Sequence, residues 1–211
     1  MNGNLSKNKP CYIICGGPEG CKTVNIPKDS FTICADSGYE KAVATGIVPD
    51  LLIGDFDSIS SVPNDEIEII KAPVHKDYTD TMLAVKTAQQ RGYADITLVG
   101  ACMGRTDHTL ANIQTLKYMA KEGLTGRICG DNTDAMLLSG GSVELFPDKS
   151  RYLSVFSLSE KCEITIENAE YPLEHYVMTD YFPIGVSNKF TDKPCKITVY
   201  NGEAIILSVK K

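Results

Sequence analysis

The sequence predicts two folded parts, an α/β domain over residues 1–140 and an all-β domain over residues 141–211. In the first part, short β-branched runs alternate with segments of helical spacing, which is typical of a Rossmann-like parallel sheet with flanking helices. In the second part, apolar and polar residues alternate at strand period between turns, which favours a β-sandwich. Asn201 and Gly202 between the last two runs are a strong hairpin signal. The predicted class is therefore α/β plus all-β.

The individual elements follow from the same periodicities. Six short runs rich in β-branched residues are expected to be strands of the first part: residues 11–15, 31–35, 51–53, 67–70, 96–99 and 127–129. Three segments have helical spacing: residues 39–45, 79–91 and 106–121. Gly92 and Gly123 stand where helix C-caps are expected. Five runs should be strands of the second part: residues 143–146, 152–156, 163–166, 196–200 and 204–207.

The composition excludes several classes of protein. A net charge of −6 argues against a nucleic-acid binder, because that affinity depends on Lys and Arg neutralising phosphates. The apolar runs are far shorter than the ~20 residues that a membrane-spanning helix needs. The eight cysteines contain no Cys-x-x-Cys, and the first ten residues lack the apolar stretch of a signal peptide. We therefore expect a cytoplasmic protein with reduced, structural thiols and with neither nucleic acid nor membrane as a partner.

Six aspartates follow the predicted strands, at the sheet edge where open parallel sheets bind their ligands. They are Asp36 after the second strand, Asp55 and Asp57 after the third, Asp77 and Asp80 after the fourth, and Asp107 after the fifth. Carboxylates so crowded repel one another unless a cation lies among them. Oxygen ligands suit Mg²⁺, with Mn²⁺ as the alternative. Single members have a simpler interpretation, since Thr79 or Asp80 could cap the following helix.

A phosphate site is predicted beside these acids. Arg105 and His108 lie at the end of a glycine-bearing loop that opens a helix, where backbone N–H groups and a guanidinium attract anions. Gly16 and Gly17 after the first strand could also approach a phosphate. The sequence has neither a Gly-x-Gly-x-x-Gly fingerprint nor a Walker loop, so a nucleotide would be held differently from both.

Four motifs occur along the chain in this order: Gly54-Asp55-Phe56-Asp57-Ser58, Lys76-Asp77-Tyr78-Thr79-Asp80, Gly104-Arg105-Thr106-Asp107-His108 and Gly185-Val186-Ser187-Asn188. Together they resemble the motifs of the thiamine pyrophosphokinase family. The resemblance extends from about Cys11 to Val209. It departs from the family at Met103, where a second glycine is common, and at residues 168–173, which only approximate the usual stretch. The sequence has no Trp, so aromatic packing on thiamine would come from Tyr181, Phe182 or Phe190.

The resemblance implies a Mg²⁺-dependent enzyme that transfers the pyrophosphoryl group of ATP, its co-substrate, to the hydroxyl of thiamine. The products would be thiamine diphosphate and AMP, and the enzyme would be a homodimer with thiamine at the subunit interface. The implied roles divide the residues as follows: Asp55, Asp57 and Asp80 coordinate the metal, Asp36 and Asp77 support catalysis, Lys76, Arg105, Asp107 and His108 bind the nucleotide, and Ser187 and Asn188 contact thiamine.

Three alternatives remain open at this point. An aspartyl-phosphate hydrolase would use Asp55 as its nucleophile and release phosphate from monoesters. A related diphosphokinase would act on another hydroxymethyl acceptor, such as a pterin. A silent nucleotide or thiamine binder would keep the fold without turnover, although it would have no need of the mutually repelling aspartates.

Overall fold

The computed structural model describes residues 9–55, 67–71 and 77–211. The fold is a mixed α/β fold, and it divides into two compact units, Met1–Asp131 and Asn132–Lys211. This division lies before the boundary that we placed at residue 140, and the segment between the two positions contains a strand of the second unit. Among the described residues, no helix is long and apolar enough to cross a membrane.

The first unit alternates strands and helices. In chain order they are β1 (Cys11–Ile14), β2 (Phe31–Ala35), α1 (Gly38–Ala44), β3 (Leu51–Gly54), β4 (Glu68–Lys71), α2 (Asp80–Gln90), β5 (Asp95–Val99), α3 (Thr106–Lys121) and β6 (Thr125–Cys129). The strands lie in the order β6-β5-β1-β2-β3-β4. All of these neighbours pair in parallel. The predicted alternation of six strands with three helices is confirmed.

The inner strands β1, β2, β3 and β5 are largely buried, which indicates that both faces of the sheet are covered there, whereas the edge strand β4 is mostly exposed. In β3, for example, Leu51, Leu52 and Ile53 are completely buried, which is the pattern of a parallel strand packed on two sides. The chain order reverses beside β1, which has β2 on one side and β5 on the other. This reversal is a topological switch point, where the loops at the carboxyl ends of the strands diverge and leave a crevice.

The ends of the helices agree with the sequence signals. Thr79 is the N-cap of α2, and its hydroxyl oxygen accepts a hydrogen bond from the backbone N–H of Met82 at 3.2 Å. Capping of α2 therefore does not require the Asp80 carboxylate. Gly92 and Gly123 follow α2 and α3 with φ of 89° and 72°, as expected of helix C-termini.

The second unit is built from strands alone within the described residues. They are β7 (Thr133–Leu138), β8 (Gly141–Leu145), β9 (Arg151–Ser157), β10 (Lys161–Glu167), β11 (Leu173–Thr179), β12 (Asn188–Lys189), β13 (Cys195–Asn201) and β14 (Ala204–Lys210). Two sets of antiparallel strands form, in the orders β12-β9-β14-β7 and β11-β10-β13-β8. Both sets contribute to one buried cluster, which includes Val155 and Ile206 from the first and Ile164 and Ile197 from the second.

The prediction of a hairpin at Asn201 and Gly202 is wrong. The turn is present and Gly202 has a φ of 84°, but it joins strands of different sheets. Strand β13 pairs with β10 and β8, whereas β14 pairs with β7 and β9. The dipeptide predicts the local backbone conformation of the turn, but it does not predict which strands pair on either side of it.

Candidate active site

A cavity of about 420 Å³ lies in the first unit at the carboxyl edge of the sheet. Its walls are the loop after β1 (residues 15–18), the end of β2 (residues 35–37), the start of α2 (residues 78–81), and the loop and first turns of α3. These segments surround the switch point beside β1, which is where an open parallel sheet binds its ligand. The cavity is large enough for part of a nucleotide or a similar small molecule.

Two of the predicted acids, Asp36 and Asp80, line this cavity. Asp36 has a φ of 50°, a left-handed conformation that Asp tolerates better than most residues. Its backbone N–H donates to the carbonyl of Ile53 at 2.8 Å, which holds the ends of β2 and β3 together. A side chain at Gly54 would place its Cβ 3.2 Å from the Asp36 Cα, so the glycine permits this approach. Asp55 follows directly and therefore leaves the sheet beside Asp36.

The other predicted acids and Lys76 are placed less completely. Asp77 is exposed just before α2. Asp57 and Lys76 lie outside the described residues. Within the described ranges, no group of three or more His, Cys, Asp and Glu side chains is arranged to hold a metal ion. The metal set of Asp55, Asp57 and Asp80 therefore stays a prediction, because one of its three members is not described.

The basic wall of the cavity contains Arg105 and His108. The Arg105 guanidinium donates to both oxygens of Asp107, from Nε at 3.1 Å and from Nη2 at 2.6 Å. Asp107 also accepts from the backbone N–H of His108 at 3.0 Å. The same contacts lower the pKa of Asp107 and raise the pKa of Arg105. Asp107 thus orients the arginine, while Arg105 and His108 face the cavity.

Substituting Arg105 and Asp107 one at a time should separate the effect of the guanidinium charge from the effect of its orientation. We expect Arg105→Met to raise KM for a nucleotide substrate by roughly tenfold or more, because a bidentate cationic donor is lost. Asp107→Asn keeps the guanidinium but loosens it, so a smaller rise of about threefold is expected. Steady-state kinetics at fixed ionic strength measure both values. An equal effect of the two substitutions would contradict the assigned roles.

Asn112 and Cys15 also line the cavity, and neither was assigned a role from the sequence. Asn112 is buried, and its Nδ2 donates to the carbonyl of Ala101 at 2.7 Å, so it fixes the loop after β5. The thiol of Cys15 accepts a hydrogen bond from Thr81. Burial raises the pKa of Cys15 to about 11. The sequence does contain a signal for Asn112. It lies four residues after His108 and therefore on the same face of α3, so it could have been predicted to line the same cavity.

Met103, the departure from the family pattern, has a φ of 69° and is half exposed. An L-residue in this conformation costs roughly 1–2 kcal/mol, whereas glycine adopts it without strain. We therefore expect Met103→Gly to raise the free energy of unfolding by about 1 kcal/mol. Chemical denaturation with circular dichroism measures this change. Met103→Ala is the matched control and should not stabilise the protein, because alanine keeps the strained Cβ.

In the second unit, Asn188 is the first residue of β12 and Ser187 directly precedes it. Asn188 is buried, and its Oδ1 accepts from the N–H of Tyr171 at 3.0 Å while its Nδ2 donates to the carbonyl of Tyr171 at 2.7 Å. Ser187 has a φ of 58°, and its N–H donates to the hydroxyl of Ser154 at 3.0 Å. Asn188 therefore anchors the loop that carries Tyr171, and the Ser187 side chain is exposed.

An exposed apolar segment, residues 181–186, precedes Ser187 and Asn188. The exposed fractions are 79% for Tyr181, 58% for Phe182 and 50% for Val186. Tyr181 and Phe182 also line two shallow cavities of about 330 and 240 Å³. Phe190, in contrast, is only 7% exposed and belongs to the core. Of the three aromatic candidates, Tyr181 and Phe182 are accessible to a ligand or partner.

Comparison with known proteins gives two matches along the chain. The family description "Thiamin pyrophosphokinase, catalytic domain" matches residues 25–127, and "Thiamin pyrophosphokinase, vitamin B1 binding domain" matches residues 142–205. The chain belongs to the thiamin pyrophosphokinase family. The cavity lies in the first unit, which contains the residues that match the catalytic domain. The exposed apolar segment lies among the residues that match the vitamin B1 binding domain.

Individual members of the thiamin pyrophosphokinase family agree with this assignment. The thiamine pyrophosphokinase of Bacillus subtilis (strain 168) is 29% identical over 191 residues, which are 86% of this chain and 89% of the relative. A crystal structure of the thiamine pyrophosphokinase from Bacillus subtilis has a TM-score of 0.85 at 26% identity and covers 96% of this chain and 100% of its own. The thiamin pyrophosphokinase structure from Geobacillus thermodenitrificans, at 22% identity, has a TM-score of 0.82 and covers 96% and 98%. Its likeness supports the fold.

Proposed function

We propose that the protein transfers the pyrophosphoryl group of ATP to the hydroxyl of thiamine, giving thiamine diphosphate and AMP. The observation that carries this proposal is the cavity at the switch point, whose lining includes both the acids Asp36 and Asp80 and the basic residues Arg105 and His108. It lies in the unit matched by the family's catalytic domain. Family membership favours this activity over an aspartyl-phosphate hydrolase, a silent binder or a diphosphokinase with a pterin acceptor.

The transfer makes one bond and breaks one bond at the β-phosphorus. The hydroxyl oxygen of thiamine attacks that phosphorus, the bond to the oxygen shared with the α-phosphorus breaks, and AMP leaves. The hydroxyl proton passes to a carboxylate, for which Asp36 and Asp77 are the candidates. Asp36 is the better placed of the two because it lines the cavity. The protein's main contribution is to hold the reactants in line and to stabilise the charge that develops.

The donor set suits a divalent cation. We propose that Asp55, Asp57 and Asp80 hold Mg²⁺, with Mn²⁺ as the alternative, since carboxylates and phosphate oxygens are the ligands that these ions prefer. When bound, the ion would neutralise charge on the phosphates and on the leaving AMP. Arg105 and His108 would bind phosphate oxygens, and Lys76 is proposed to assist. The remaining acidic charge suits the cationic thiazolium of thiamine.

The second unit supplies the proposed thiamine-binding and dimerisation domain. We propose that the first unit is a Rossmann-like domain and the second unit a β-sandwich domain, and that the protein is a cytoplasmic homodimer. Exposed Tyr181 and Phe182 support an interface with a second copy, because large apolar side chains are seldom exposed together without a partner. Ser187, next to this segment, and the loop anchored by Asn188 would contact thiamine at the interface.

An assay with several acceptors tests the proposed activity. Purified protein is incubated with ATP, Mg²⁺ and thiamine, a hydroxymethylpterin or a phosphate monoester, and the products are separated by chromatography. We expect AMP and thiamine diphosphate in equal amounts with thiamine alone. Product from the pterin, or inorganic phosphate from the monoester, in the absence of thiamine diphosphate would overturn the assignment.

A further inference from the structure

A half-buried cation lies behind the loop that follows β1. Lys41, in the last turn of α1, donates from Nζ to the carbonyl oxygens of Cys15 and Glu19, both at 2.8 Å. One ammonium therefore ties together the two ends of the segment 15–19. Gly16, Gly17 and Pro18, between these ends, line the cavity.

The orientation of the carbonyls determines where the neighbouring N–H groups point. In a trans peptide the C=O and N–H of one unit point in opposite directions. Because the Cys15 carbonyl points to Lys41, the N–H of Gly16 points away from Lys41. A backbone N–H in this position is a suitable donor for an anion in the cavity.

The same lysine also lies against the loop that follows β5. A Cβ built on Gly100 would lie 3.0 Å from the Lys41 Nζ, and one built on Gly17 would lie 2.9 Å from the Gly100 carbonyl. The two glycine-bearing loops thus meet backbone to backbone above the ammonium. Any larger residue at Gly17 or Gly100 would push the loops apart, so the arrangement is tightly constrained.

Burial lowers the pKa of Lys41, because the charged form loses solvation. The nearby carboxylates of Glu19 and Asp131 act in the opposite direction and favour the ammonium. The two hydrogen bonds to main-chain carbonyls restrain this half-buried cation behind the loop.

We propose that Lys41 is a positioning residue for the anion-binding wall of the cavity. It holds the segment 15–19 so that the Gly16 N–H is presented to a phosphate group, and it places a fixed positive charge behind that donor. The inferred ligand is the phosphate chain of the nucleotide, so this inference rests on the proposed function. Lys41 would contact these two loops and not the nucleotide, so its effect on the nucleotide is indirect.

Substitutions at Lys41 test this role through binding of Mg²⁺–ATP and of pyrophosphate, measured by isothermal titration calorimetry. Lys41→Met keeps the length of the side chain but removes donors and charge, and should weaken both ligands by about tenfold or more. Lys41→Arg keeps both and should restore affinity to within about threefold of the wild type. In steady-state kinetics, KM for ATP should rise while KM for thiamine changes by less than about twofold.

The matched control is Lys121→Met, which removes an exposed lysine from the last turn of α3 and should leave ATP affinity unchanged. Should Lys41→Met not fold, Lys41→Gln replaces it, because it keeps donors and loses the charge; its ATP affinity should also fall. The proposal is overturned if Lys41→Met or Lys41→Gln binds ATP with wild-type affinity. It is also overturned if Lys41→Arg fails to restore binding. A wild type that binds pyrophosphate through Lys41 but makes no thiamine diphosphate would instead contradict only the proposed function.

Discussion

Replacing Asp80 with Asn is expected to lower turnover of ATP and thiamine by roughly 10²–10³-fold, as for other groups that stabilise charge in a transition state. Asp80 lines the cavity at the first position of α2, and Thr79 supplies the helix cap, so its carboxylate is placed for the metal and the phosphates. The amide keeps the size of the side chain but loses the charge. Product chromatography over a range of Mg²⁺ concentrations measures the effect, and we expect the variant to need more Mg²⁺ for its half-maximal rate.

The matched control for Asp80 is Glu40→Gln, which neutralises an exposed acid in the first turn of α1. Both substitutions remove a favourable charge from a helix N-terminus and should cost about 0.3–1 kcal/mol of stability. Glu40 does not line the cavity, so Glu40→Gln should retain turnover. A rate for Asp80→Asn within about threefold of that control would show that Asp80 has no part in the reaction.

Replacing Phe182 with Asp should convert a homodimer into monomers and abolish turnover of thiamine. The side chain is 58% exposed in the single chain and lies beside Tyr181, which is 79% exposed. If a second copy covers this segment, a carboxylate there would be desolvated without a partner, which is costly. Sedimentation velocity should show a fall from twice the chain mass to the chain mass of 23.0 kDa.

Phe146→Asp is the control for the interface, because Phe146 is 87% exposed and follows β8. Strand β8 and strand β11, which precedes the apolar segment, lie at opposite ends of their sheet. Phe146→Asp should therefore remain dimeric and active. A wild-type protein that sediments as a monomer at micromolar concentration, or a Phe182→Asp variant that remains dimeric, would contradict the proposed interface.

The first unit was largely predictable because its local signals and its burial agree. In β3, the apolar run Leu51 to Ile53 predicts a buried strand, and in α2 the cap Thr79 precedes an apolar helix face. Asp36 and Asp80 come together in one cavity as the position of the strand ends predicts. Lys41 had no such signal, because its role depends on two carbonyls more than twenty residues away along the chain.

The second unit was less predictable because its strands are irregular. Strand β11 was missed, and within it His175 has a φ of 44° where the register with β10 shifts. A bulge of this kind breaks the alternation on which strand prediction depends. Strand β12 has two residues and is too short for any periodic pattern. Asn188, expected to contact thiamine, uses its amide to bind the backbone of Tyr171, a contact across seventeen residues that spacing does not reveal.

The position of the transferred phosphorus tests the central claim most directly. ATP labelled with ³²P at the β-phosphorus is incubated with the protein, Mg²⁺ and thiamine, and the labelled products are separated. Pyrophosphoryl transfer predicts that the β label appears in thiamine diphosphate while AMP remains unlabelled. Label retained in ADP, with thiamine monophosphate or inorganic phosphate as the other product, would show attack at the γ-phosphorus and contradict the proposed reaction.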